Sequence, residues 1–221
     1  MSNPLISADT KVGELAAHIP EAAQLFRDNG ISFCCGGKLS LGEAAQKHAK
    51  SIDALLASLN AGAHQAAKDA PDKTEELIAH IKSRYHDTHR AELAELVPLA
   101  EKVESVHHDH ADIPPGLSKL LGQMQSEMTA HMAKEEQILF PMMLSGGHPM
   151  IAGPIGVMRH DHEGHMDQLK GLEHLTNSFA LPADACKSWT RLYTDTSKFA
   201  ADLVRHMYLE NEILFPRFDN A

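Results

Sequence analysis

Histidine and glutamate recur four residues apart in two stretches of this chain, HMAKEEQILFP from His131 to Pro141 and HMYLENEILFP from His206 to Pro216. Seven of the eleven positions are identical, and the copies start 75 residues apart. Residues i and i+4 lie one above the other on a helix, so each copy aims an imidazole and a carboxylate the same way. A carboxylate inside a core is costly unless it is paired or bound to metal. A single His–Glu couple reads equally well as a satisfied core hydrogen bond. A matched duplicate points instead to metal ligation.

The apolar spacing places both couples inward. Leu117, Leu120, Leu121, Met124 and Met128 lead at helical spacing to His131, Glu135, Ile138 and Met142. Leu192, Phe199 and Leu203 lead in the same way to His206, Glu210 and Ile213. Each copy is expected to stop at its proline, Pro141 or Pro216, which cannot continue a helix.

Each couple sits on the second helix of a helical pair, and each first helix should add one inward histidine. In the MRHDHEGHM stretch, His162 shares a stripe with Met158, Met166 and Leu169, His165 lies at its margin and His160 faces out. In YHDTHR both His86 and His89 fall in the apolar sector around Leu93, and phase does not separate them. The spacing of 45 from His86 to His131, against 44 from His162 to His206, makes His86 the tidier choice. Four imidazoles and two carboxylates then converge, with each glutamate able to bridge two cations. Such donors suit first a carboxylate-bridged pair of iron ions, with a di-manganese or mixed pair left open because ligand type alone does not select the metal, and with positions open for O2, NO or peroxide, or for release of iron.

Four long amphipathic segments carry these residues, at about 74–108, 116–144, 152–178 and 183–217, joined by short turns. They predict an all-α, up-down-up-down four-helix bundle. Ahead of it, residues 1–60 read as a small helical domain, with a helix interrupted near Pro20 and stopped at Asn29-Gly30, then a capping box from Ser40 to Glu43. Residues 61–73 read as the linker to a domain spanning 74–221. Cys34 and Cys35 precede Gly36-Gly37 on a pliable turn, where a thiol pair could handle iron or electrons. Cys186 reads as a small core residue in the fourth helix's first turn. Net charge is −10 with no Lys/Arg cluster, so nucleic acid and anionic membrane are poor partners. No signal peptide or spanning stretch is visible, and three cysteines make no disulfide framework, so a cytoplasmic location is expected.

On the motifs Cys34-Cys35-Gly36-Gly37, RYHDTHR, HMAKEEQILFP, GPIGVM and HMYLENEILFP, the whole chain resembles the iron–sulfur cluster repair di-iron proteins (the RIC family, YtfE/ScdA/DnrN type), and its last two-thirds resembles the hemerythrin-like proteins. The resemblance implies a hemerythrin-like bundle behind an ScdA-type domain. It implies two non-haem, carboxylate-bridged iron ions, with His86, His131, Glu135, His162, His206 and Glu210 at the ligand positions, and so selects His86 over His89. It also implies repair of iron–sulfur proteins damaged by nitrosative or oxidative stress, by iron donation. Reduction of NO or peroxide, or sensing or carriage of O2 or NO, are the competing functions. A homodimer stays open. His107, His108, His110, His160 and His165 depart from the resemblance; His89, Glu127 and Asn211 are candidates to support the ligands. Aromatic packing is the first expectation for Tyr85, Tyr193 and Tyr208.

Overall fold

The computed structural model describes residues 6–31, 33, 37–68 and 70–219, and every regular element among them is helical. The small N-terminal unit contains α1 (Val12–His18), α2 (Ala22–Asp28), α3 (Leu41–Lys47) and α4 (Ile52–Lys68). Ile19, held extended ahead of Pro20, ends α1, as the residue before a proline prefers. Gly30, at φ +68°, ends α2, and the Ile31 amide donates to the Phe26 carbonyl at 2.8 Å. Ser40 and Glu43 form the capping box that opens α3. Helix α4 runs through residues 60–68, which the sequence assigns to a linker, leaving only a short connection before Thr74. Alanines at 61, 63, 66 and 67 favour helix, and Gly62 faces Pro20, where an added Cβ would stand 3.2 Å from the Pro20 carbonyl oxygen. Cys34 and Cys35 lie outside the described residues.

Four long helices follow, each broken or bounded by a recognisable device. Helix α5 comprises Thr74–Ile81, a π-helical turn Lys82–His86, and Asp87–Val106. Helix α6 comprises Leu117–Lys134, a π turn Glu135–Leu139, and Phe140–Leu144. Helix α7 is Ala152–Leu175; it ends three residues before the sequence expectation, where Asn177, Ser178 and Phe179 take positive φ. Helix α8 comprises Lys187–Tyr208, a π turn Leu209–Leu214 and a final 3-10 turn Phe215–Arg217. It begins one residue after Cys186, which occupies the N-cap position instead of the first turn.

The π turns alter the predicted stripe. Each takes in an extra residue, so the inward face slips by one position beyond the glutamate. Ile138 is 54% exposed, and Leu139 and Phe140 are buried in its place; beyond Glu210, Leu214 is fully buried and Ile213 only partly. Pro141 does not stop α6, because the π turn before it has already displaced the backbone from the α ladder, where a proline would clash.

Helix α5 packs on α6 and α8, and α6 on α7. Two apolar layers fill the bundle. One is built on Leu93, Leu96, Leu121, Met124, Leu169, Trp189, Leu192 and Phe199. The other is built on Ile78, Ile81, Leu139, Phe140, Ile155, Met158, Leu214 and Phe215. A polar layer lies between them. The small unit has its own core around Leu15, Phe26, Leu41 and Leu59, which Tyr208 of α8 joins, its hydroxyl donating to the Ala63 carbonyl at 3.2 Å. Arg27 and Glu173 close the junction at 2.5 Å. Among the described residues no helix is long and apolar enough to cross a membrane.

Candidate metal centre

The polar layer consists of His86 from α5, His131 and Glu135 from α6, His162 from α7, and His206 and Glu210 from α8, all buried. All six candidates from the sequence are brought together. Two overlapping groups have donor atoms close enough to share an ion: His86, Glu135, His206 and Glu210, and His131, Glu135, His162 and Glu210. Glu135 Oε2 stands 3.4 Å from Nε2 of both His86 and His131. Glu210 reaches His206 through Oε1 and His162 through Oε2, each at 3.1 Å. Each glutamate therefore faces one histidine of either pair. Three of the six belong to π turns, which close His86, open at Glu135 and enclose Glu210.

The electrostatics suit a cation. Burial, with His206 beside it, lowers His86 to about 4, and burial with His162 beside it lowers His131 to about 3. Both rings are therefore neutral at pH 7 and carry lone pairs. His86 Nδ1–H donates to Glu136 Oε1 at 2.7 Å, His131 Nδ1–H to Asp161 Oδ2 at 3.3 Å, and His162 Nδ1–H to Asn211 Oδ1 at 3.0 Å. Those outer bonds turn the Nε2 lone pairs of His86, His131 and His162 inward. His131 and His162 then meet Nε2 to Nε2 at 3.2 Å, and His86 Nε2 stands 3.2 Å from His206 Nε2, which also faces Glu210 Oε1 at 3.1 Å. The facing lone pairs of His131 and His162 repel unless something electrophilic lies between them. Burial also pushes the Glu135 carboxyl well above the usual range, and the adjacent Glu210 adds to it. Burial acts on Glu210 in the same sense, but His206 and His162 outweigh it and hold that carboxyl low. Among the described residues both Glu135 oxygens and Glu210 Oε2 have no hydrogen-bond donor. Buried acceptors without donors suit a cation, and the residues around them fit one.

The remaining candidates take other places. His89 is fully buried; its Nδ1 stands 3.9 Å from Glu92, neither nitrogen makes a hydrogen bond among the described residues, and its ring packs on Tyr85, Phe199 and His206. His165 sets its ring edge-on to His131 at 5.2 Å. Asn211 accepts from His162 Nδ1, whereas Glu127 pairs with Gln168 at the surface. His160 is exposed. His107 lies against Trp189, with its Nε2 3.1 Å from Cys186 Sγ, and His110 contacts Asp184; none of these residues belongs to the centre. The sequence reading passed over Glu136 and Asp161. Glu136 immediately follows Glu135 and Asp161 immediately precedes His162, which is the signal that could have found them.

Residues 77–218 match the hemerythrin HHE cation binding domain, and residues 8–63 match a domain of unknown function, DUF542. The chain is 46% identical over 212 residues to the iron–sulfur cluster repair protein YtfE of Dickeya chrysanthemi, covering 95% of this chain and 96% of that protein. It is 45% identical to YtfE of Pectobacterium atrosepticum, covering 95% and 96%, and 46% identical to YtfE of Yersinia pseudotuberculosis, covering 93% and 95%. The chain belongs to the YtfE family of hemerythrin-like proteins. In this YtfE-family chain the cation-binding match encloses all six clustered residues, and the DUF542 match covers α1 to α3 and most of α4.

Proposed function

We propose that the six residues hold two iron ions, with Glu135 and Glu210 each shared between them, and that the protein gives up this iron to rebuild iron–sulfur clusters damaged by nitrosative or oxidative stress. The observation that carries the reading is the pair of buried glutamates, each facing one histidine of either pair, with both Glu135 oxygens and Glu210 Oε2 lacking a donor among the described residues. The repair role is that for which relatives near 45% identity are named. When bound, a ferrous pair supplies transferable iron and open positions for a small ligand. The chain's own groups do the holding. Neutral imidazoles offer their lone pairs, and two apolar layers keep water out. The Glu135 carboxyl, raised by burial, takes up a proton when positive charge leaves. The recipients in this reading are cytoplasmic iron–sulfur proteins, and the domain boundary falls between α4 and α5.

A second reading, reduction of NO or peroxide at the same centre, is favoured by a cavity of about 480 Å3. It lies between the small unit and the bundle and reaches His162. Metal content and Mössbauer spectra of protein purified without oxygen, beside Glu135→Ala and Glu210→Ala, test the centre. About two irons per chain, lost in both variants, is the expected result; iron indifferent to both changes would remove the physical basis of the proposal. The double change Cys34→Ala with Cys35→Ala separates the functions, because it should cripple transfer of iron to a damaged cluster and spare turnover of NO.

A further inference from the structure

The bundle has an internal two-fold relation that the outer hydrogen bonds do not obey. Hairpin α5–α6 corresponds to hairpin α7–α8, matching His86 with His162, His131 with His206, and Glu135 with Glu210. The residue after each shared glutamate turns back on the first histidine of its own hairpin: Glu136 on His86 and Asn211 on His162. The residue before each first histidine reaches across to the other hairpin. Asp161 does so as a carboxylate, accepting from His131 Nδ1 and held in place by Lys134 at 2.6 Å. Its counterpart is Tyr85. A phenol ring lies there flat on His206, with centroids 5.4 Å apart and planes 6° from parallel. It covers the imidazole face but offers no acceptor at the ring edge. His206 Nδ1 is accordingly buried without a protein partner among the described residues.

An acceptor on the outer nitrogen fixes a ligand imidazole's tautomer and orientation and strengthens its donation; losing one typically costs about 10–100-fold in metal affinity. The His131/His162 half has two such acceptors, and the His86/His206 half has one. The geometry points to unequal metal positions: the ion held by His86 and His206 is the labile one, and Tyr85, standing where the other half has Asp161, is the positioning residue that makes it so. This inference rests on the two-ion reading above and adds which of the two is given up first. Access favours the opposite order, since the cavity reaches His162. The proposal is that ligand orientation outweighs access.

The test follows release of iron to excess ferrous chelator from anaerobically reconstituted full-length protein. Two phases are expected, about 10–100-fold apart in rate. Tyr85→Asp should slow the fast phase toward the slow one, and Asp161→Ala should quicken the slow phase. Tyr85→Phe, which keeps the ring, should leave both unchanged. Asp161 is partly exposed, so its variant reports even where Tyr85→Asp fails to fold. A single phase, or Asp161→Ala acting on the fast phase instead, would overturn the proposal while leaving the two-ion reading intact. Uptake of fewer than two ions would sink both. Two-phase release from a protein that repairs no cluster would sink the repair role alone.

Discussion

At the scale of single residues, the centre is a place where stability is given up for binding. Glu135 is fully buried with both oxygens unsatisfied, and its carboxyl is pushed up by burial. Glu135→Gln puts there an amide that is neutral without first taking up a proton and that can donate toward the Nε2 atoms around it. The metal-free variant should be more stable than the parent by about 1–3 kcal/mol, the range for relieving a buried unsatisfied group. It should also fail to take up a second ion. Urea midpoints and metal content measure the two effects. The histidines set the pH dependence. His86 and His89 are lowered to about 4 and His131 to about 3, against 6.5 in an unfolded chain. Between those limits the unfolded chain binds more protons than the folded one, so acid favours unfolding. Metal-free protein should lose stability progressively as pH falls from about 6.5 toward 4, and hold steady above 7. Denaturant midpoints at pH 7.5, 5.5 and 4.5 would show it, and a flat profile would mean the rings are not buried neutral. The sequence made His131, Glu135, His162, His206 and Glu210 legible because apolar spacing leads straight to them. His86 and His89 were not separable by phase, since both are fully buried; they differ in height along the bundle, which one helix's pattern does not encode. Glu136 and Asp161 were illegible for a related reason. Charges beside a ligand read as solvated until the neighbouring helix is in place.

At the scale of elements, the three π turns do what a regular helix cannot. Each lies at a ligand, and each shifts the side chains beyond it by about one residue, roughly 100° of helical phase. The sequence reading assumed a constant period and so placed Ile138 inside, where the structure has it exposed. Deleting the exposed Gln137 should restore the α period and misdirect either Glu135 or the Leu139–Phe140 pair. Far-ultraviolet circular dichroism should barely change, while bound metal falls and the melting point drops. Unaltered metal binding would show that the extra residue is incidental. Ends were the least legible features. The Ala-rich 60–68 segment read as linker because Gly62 and nearby polar residues resemble a loop, yet Gly62 is the site of close approach to Pro20 inside a continuing helix.

At the scale of the whole molecule, the small unit is fastened to the bundle by few but specific contacts. Arg27 meets Glu173 where both are largely buried, Arg205 meets Glu21 at 3.1 Å, and Tyr208 enters the small unit's core. Arg27→Ala leaves the Glu173 carboxylate buried without its cation, an arrangement that costs about 3 kcal/mol when a buried pair is broken. The fold of each unit should survive, and the junction should open. Limited proteolysis near Pro71 and hydrogen exchange across α1 and α2 should both speed up, with little change at α5 or α6.

The two-fold pairing has one more consequence. His86 and His206 belong to different hairpins, as do His131 and His162, so an ion at either position rivets the two halves of the bundle together. Cargo and fastener are then the same object. On the proposed reading, a chain that has given up its iron is left with crowded imidazoles and two crowded carboxyls across that seam, and the halves it joined are free to breathe. Empty and full forms differ in stiffness as well as content, and the molecule carries a mechanical record of whether it has already acted.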